Sequence, residues 1–226
     1  MQEVVGGLIN IAIAAHGEET DPGVVEKAEA FVEHLARECG VEDVVLLVGG
    51  YWGLMKNVVD RALSVGFKVI LFPPVEVENR FAFPSNTIVL RTGLSYRNRS
   101  VVMVRSSDIL VALGGASGTI QEVITAYTEA KPTLVLKSTG MPTDRLARLA
   151  PYIDDRRLAR VELVESPVEL AKRACHLAKS LESTQGPSPA SRGSHEIPHR
   201  KAEERVIGLD AGEVKLLLMP QDSTRS

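Results

Sequence analysis

Aromatic residues are scarce in this chain, at only 4% of 226 positions, and positive charge is not in excess, with 26 lysines and arginines against 29 acidic residues. The basic residues are scattered. Without a basic patch interleaved with aromatics, the sequence offers no nucleic-acid face. Cysteine is scarcer still: Cys39 and Cys175 stand far apart, in no metal-ligand spacing. Both are expected as small core or half-buried residues in a reducing compartment, and no metal is expected. Long hydrophobic runs are missing as well. The opening MQEVVGGLINIAIAA holds an apolar stretch too short to span a bilayer and no basic leader, so it reads as a first strand. A soluble cytoplasmic protein with no membrane partner is the expectation.

What is present is 44% hydrophobic residues, enough for one sizeable core with an appendage. Short apolar runs alternate with helical patterns. The strands are expected at Leu8 to Ala14, Asp43 to Val48, Lys68 to Phe72, Thr87 to Arg91, Asp108 to Leu113, Thr133 to Lys137 and Val161 to Val164. Helices are expected at Pro22 to Glu38, Leu54 to Val65, Ser95 to Arg105, Thr119 to Ala130, Pro142 to Ala150 and Pro167 to Leu181. This alternation implies right-handed crossovers and an α/β, Rossmann-like parallel sheet with helices on both faces, over residues 1–182. Residues 183–205, rich in Ser, Pro and Gly, read as a flexible linker. The tail, 206–226, turns apolar again around "DAGE", which would suit either a docked hairpin or a disordered end.

Two strand-to-helix joints have been stripped of side chains. "VVLLVGGYWGLM" places Gly49, Gly50 and Gly53 after one apolar strand; "DILVALGGASGTIQEV" places Gly114, Gly115 and Gly118 after another. Helix N-termini carry unpaired N–H groups and the positive end of the macrodipole, and absent side chains let an anion approach. At the carboxyl ends of a parallel sheet, two such joints could embrace one phosphorylated ligand. Glycines there also serve tight turns and close packing, and Thr119 with Glu122 matches a capping box that would merely satisfy the helix start. Neither loop contains GxGxxG, and neither has the lysine of a P-loop, so dinucleotide binding and NTP hydrolysis are poorly supported. The pair of loops favours a phosphate site.

These loops, with "RSVVMVRSSD" leading into the second, resemble the LONELY GUY family, long labelled "possible lysine decarboxylase", from roughly Ile9 to Leu181. The family motif PGGxGTxxE is met with departures, since its PGG positions hold Gly114, Gly115 and Ala116. "TGLSYRNRSVVMVRSSD" and "GGASGTIQE" look nearer to an uncharacterised Rossmann-like branch, related to the molybdenum cofactor carrier protein and the DNA-processing protein A domain. Family members release a base from a nucleoside 5′-monophosphate using an arginine and a glutamate. The resemblance puts these roles on Arg99, nine residues before Asp108, and on Glu122. It also implies a homodimer or higher homo-oligomer, and the fold and phosphate site transfer more firmly than the activity.

The residue types suit that chemistry. Cleaving an N-glycosidic bond leaves an electron-poor sugar, which a carboxylate such as Glu122 can stabilise, or serve by taking a proton from attacking water. Arg99 could orient the carboxylate or pair with the phosphate through its planar fork. Gly115, Ser117, Gly118 and Thr119 would supply donors to the phosphate, and Gly49, Gly50 and Gly53 would leave room opposite. Arg97 is the rival arginine, and a solvated arginine is the commoner fate of either. His16 could touch the ligand or be an idle loop residue; Tyr51 and Trp52 could stack on a base or pack on a neighbouring subunit. The expected activity is metal- and cofactor-independent hydrolysis of a nucleoside 5′-monophosphate. The alternative is a carrier or sensor that holds a phosphorylated ligand, such as molybdenum cofactor, without turning it over. Lysine decarboxylation would need pyridoxal phosphate on a lysine, which neither loop offers, and ranks last.

Overall fold

Asp21 starts the first helix by accepting a hydrogen bond from the Gly23 N–H at 2.8 Å, and Pro22 presets its first turn. The computed structural model, which describes residues 8–184, runs β1 (Ile9–Ala14), α1 (Pro22–Cys39), β2 (Val44–Val48), α2 (Gly53–Val65), β3 (Lys68–Leu71), β4 (Ile88–Val89) and α3 (Tyr96–Arg105). It continues with β5 (Ile109–Ala112), α4 (Ser117–Thr128), β6 (Thr133–Leu136), a 3-10 helix (Pro142–Arg148), β7 (Val161–Val164) and α5 (Pro167–Thr184). The linker and tail expectations lie outside the described residues, except where α5 extends to Thr184.

Seven parallel strands form one sheet in the order β4-β3-β2-β1-β5-β6-β7. Helices cover both faces, as continuous apolar strands require. Ile9, Ile11 and Ile13 of β1 face α1, α2 and α5, while Ala12 and Ala14 face α3 and α4. On α1 the buried side chains Val24, Ala28, Phe31, Val32, Leu35 and Cys39 recur at helical spacing, which gives the helix one apolar stripe to lay on the sheet. The Rossmann-like expectation is met.

Four local expectations need correction. β4 spans Ile88–Val89 alone, because it is an edge strand paired on one side only, to β3. The segment after β6 is a 3-10 helix rather than an α-helix. The helix after β5 begins at Ser117 with Ala116 as its cap residue and no side-chain capping bond, so Thr119 and Glu122 form no capping box. Finally, Cys39 and Cys175 are joined in a disulfide, their Cα atoms 5.4 Å apart. α1 and α5 pack side by side, which makes neighbours of residues 136 apart in sequence. Among the described residues no helix is long and apolar enough to cross a membrane.

Phe31 is fully buried beneath α1, between β1 and its neighbouring helices. Phe31→Ala is expected to lower stability by about 3–5 kcal/mol, read as a fall in the urea midpoint with an unchanged slope.

Candidate functional site

The chain moves outward from β1 through β2, β3 and β4, then returns to lay β5 on the other side of β1. Such a reversal opens a crevice at the carboxyl ends of the strands. A cavity of about 350 Å³ lies there. Its walls are Ala15 to Glu18 after β1, Trp52 and Met55 at the start of α2, Tyr96, Arg97, Arg99 and Ser100 of α3, and Ala116, Gly118, Thr119, Gln121 and Glu122 at the start of α4. A wider groove, about 510 Å³, lies between α1 and α2 at the opposite end of the strands and is lined by Glu33, Arg37 and Arg61, none of them an expected site residue.

Three helix N-termini therefore meet at one cavity. α1 is capped by Asp21, but no side chain caps α2, α3 or α4, and none of the three carries an acidic residue in its first turn. Their free N–H groups and positive dipole ends favour an anion between them.

Arg99 and Glu122 come together at this point. Arg99 is only 5% exposed and Glu122 only 7%, although one is on α3 and the other on α4. The arginine Nη1 lies 3.5 Å from Glu122 Oε1, and the Ser100 hydroxyl donates to the same oxygen at 2.7 Å. Arg99 Nε is buried without a hydrogen-bond partner. A guanidinium has five donors, and this one spends little of that capacity within the chain. Burial raises the pKa of Glu122, an effect opposed by the Arg99 charge and the Ser100 hydrogen bond. Burial likewise lowers the pKa of Arg99, opposed chiefly by Glu122, but a guanidinium remains charged at neutral pH. Arg97, the rival arginine, is exposed and reaches Gln121 Oε1 at 3.2 Å.

The glycines divide by what fills their space. A Cβ on Gly49 would overlap the Arg99 guanidinium, and one on Gly50 would overlap the Trp52 ring. Gly53 has φ +54 and abuts the backbone of Gly17 and Glu18. On the second loop, a Cβ on Gly115 would overlap the Thr119 side chain, whereas at Gly118 nothing lies within 4 Å. The room cleared by Gly49, Gly50, Gly53 and Gly115 is thus taken by the chain's own groups. Gly118 and Thr119 line the cavity with Arg99 and Glu122; Gly49, Gly50, Gly53, Gly114, Gly115 and Ser117 do not. The second loop is pinned from behind by Thr143, whose hydroxyl accepts from the Gly115 N–H at 3.2 Å. Gly114 takes φ +113 there, with Met141 and Thr139 against it.

His16 lies in the wall, 3.8 Å from Glu18. Tyr51 turns away and donates to Asp60 at 2.6 Å, while Trp52 stays in the wall. Sequence reasoning missed Ser100 and Thr143, and nothing in their spacing marks them before the partners are placed. Among the described residues no group of His, Cys, Asp and Glu could hold a metal ion.

The chain belongs to the SLOG cluster4 family, whose model matches residues 8–170. An uncharacterised protein of Archaeoglobus fulgidus is 36% identical over 95 residues, which is 41% of this chain and 60% of that protein. Among solved structures, TM1055 is similar with a TM-score of 0.64 at 25% identity, over 75% of this chain and 99% of that one. The molybdenum cofactor carrier protein of Chlamydomonas reinhardtii is similar with a TM-score of 0.60 at 22% identity, over 75% of this chain and 98% of that one. These likenesses are of fold, and they agree with the branch suggested by the two glycine loops.

Two outcomes are expected at this site. Gly53→Ala should cost more than about 1 kcal/mol, because the new methyl meets backbone at a positive φ, while Gly118→Ala should stay within about 0.5 kcal/mol; thermal unfolding compares them. Glu122 binds its proton more tightly in the folded than in the unfolded chain. Its contribution is full below the unfolded carboxyl's range and is lost as pH climbs through the raised folded value. The melting temperature of the wild type relative to Glu122→Gln is therefore expected to decline as pH rises above the ordinary carboxyl range.

Proposed function

We propose that this SLOG cluster4 protein binds a small ligand through its phosphate at the mouth of α4 and hydrolyses the N-glycosidic bond of a nucleoside 5′-monophosphate there. One observation carries the reading: a buried arginine with an unpartnered Nε stands beside a buried glutamate in a cavity where three uncapped helix N-termini meet. The resemblance of Arg99 and Glu122 to the catalytic pair of the LONELY GUY family supports the same assignment. The phosphate would take the free N–H groups around Gly118 and Thr119, with Arg99 adding its unspent donors.

The ribose then lies one turn further along α4, beside Glu122. As the bond between the anomeric carbon and the base nitrogen breaks, the base leaves with the bonding electrons and acquires a proton. Glu122 stabilises the electron-poor sugar and accepts a proton from the water whose oxygen joins the anomeric carbon. A carboxylate with a raised pKa is the stronger base for that transfer. The products are the free base and ribose 5-phosphate. The assembly would be a homodimer or higher homo-oligomer, and its cellular setting the cytoplasm.

A second reading is a carrier of molybdenum cofactor, favoured by the shared fold with the Chlamydomonas carrier protein. The two readings part at turnover. Incubation of the full chain with AMP, followed by chromatography, is expected to release adenine and ribose 5-phosphate. Glu122→Ala should lower that release by two orders of magnitude or more, on the order of what a positioned acid–base group contributes. A phosphorylated ligand that raises the melting temperature of both proteins, with no product from either, would favour the carrier.

A further inference from the structure

Hydrolysis by the route above leaves one proton without a donor. The base departs with the bonding electrons, and Glu122 is engaged in taking a proton from water. Unless an acid on the cavity wall protonates it, the base must leave as an anion, which is a poor leaving group. Besides Glu122, the ionisable side chains lining the cavity are His16, Glu18, Tyr96, Arg97 and Arg99. A guanidinium does not release its proton in a protein, and a phenol does so only in alkali. The Glu18 side chain is 85% exposed and stands at the rim. Imidazole is the group that gives and takes a proton near neutral pH.

The fold holds His16 in a fixed place. It follows β1 by two residues, and β1 lies between β2 and β5, so it enters the cavity between the starts of α2 and α4. The backbone next to it is wedged. Gly53 abuts Gly17 and Glu18, and a Cβ on Gly17 would come within 3.1 Å of the Trp52 indole Nε1. The His16 side chain is 25% exposed, and its Nε2 lies 3.8 Å from Glu18 Oε2.

We propose that His16, as the imidazolium, is the general acid that protonates the departing base, with Glu18 as its counter-charge. The inference rests on the hydrolysis reading. The electron pair of the glycosidic bond passes to the base, and the imidazolium proton passes to a ring nitrogen of that base. The oxygen of water joins the anomeric carbon and its proton goes to Glu122. Solvent then returns a proton to His16 and takes one from Glu122, so the net change is nucleotide plus water to base plus ribose 5-phosphate. Arg97 and Arg99 of α3 oppose a positive ring at this place, whereas Glu18, Glu122 and the incoming phosphate favour it; Trp52 and Met55 of α2 bring no charge.

The full chain and His16→Gln are incubated with AMP, GMP and 7-methyl-GMP over a range of pH, and released base is followed by chromatography. The base of 7-methyl-GMP is positively charged in the nucleotide and leaves neutral without a donated proton. Wild-type release from AMP or GMP is expected to fall on the alkaline side. His16→Gln should lower that release about a hundredfold and abolish the alkaline fall, while release from 7-methyl-GMP drops far less. Glu18→Gln should move the alkaline fall to lower pH, because the imidazolium loses its counter-charge. Both variants should melt with the wild type. His16→Gln that cuts AMP and GMP at the wild-type rate, or that keeps the alkaline fall, overturns the assignment and leaves the hydrolysis reading intact. So does an equal loss on all three substrates. If the wild type releases no base from any of them, the hydrolysis reading fails and the role of His16 falls with it.

Discussion

Placing a guanidinium and a carboxylate together under a protein surface removes two ions from water, at a cost of several kcal/mol per ion that their mutual attraction must offset. Arg99 and Glu122 accept that constraint with a separation of 3.5 Å and with the arginine Nε unpartnered. A pair kept only for stability would close further and satisfy its donors. The surrounding chain is instead arranged to keep this incomplete pair in place. Gly49 gives up a side chain so that the guanidinium has somewhere to lie, and Ser100 holds Glu122 by the oxygen nearest the arginine.

The sheet supplies the rest of the setting. Because β1 is flanked by β2 on one side and β5 on the other, the helices that follow β2 and β5 start on either side of one crevice, and α3 starts beside them. α1 starts at the same end of the sheet but is closed by Asp21, so its donors are already engaged. The contrast between one capped and three uncapped helices concentrates positive potential in a single place. Glu122 enters that place from the second turn of α4, past the open end of the helix rather than across it.

Much of this could be read from the residues alone. Strand and helix positions follow from apolar runs and their spacing, because strands buried on both faces must be continuously apolar. Arg99 and Glu122 were reachable through motif spacing, although Arg97 two residues away is chemically identical and the burial that separates them is set by α4. The role of the glycines was harder to see. Gly49 and Gly50 yield to Arg99 and Trp52, one of them fifty residues away in sequence, and a missing side chain does not announce what will fill its space. Thr119 and Glu122 have the spacing of a capping box, yet Glu122 finds Ser100 and Arg99, because tertiary partners outcompete a local cap. The link between Cys39 and Cys175 was invisible for the same reason: only the packing of α1 against α5 brings them within reach.

That link encloses more than two helices. Between Cys39 and Cys175 lie β2 to β7 and the starts of α2, α3 and α4, so nearly every wall of the cavity belongs to one covalently closed loop. Ala15 to Glu18 stand outside it, contributed by a strand that the loop surrounds on both sides in the sheet. A protease that severs the backbone once inside the loop produces two fragments that still travel as one molecule, with the arginine on α3 and the glutamate on α4 kept in one covalent unit.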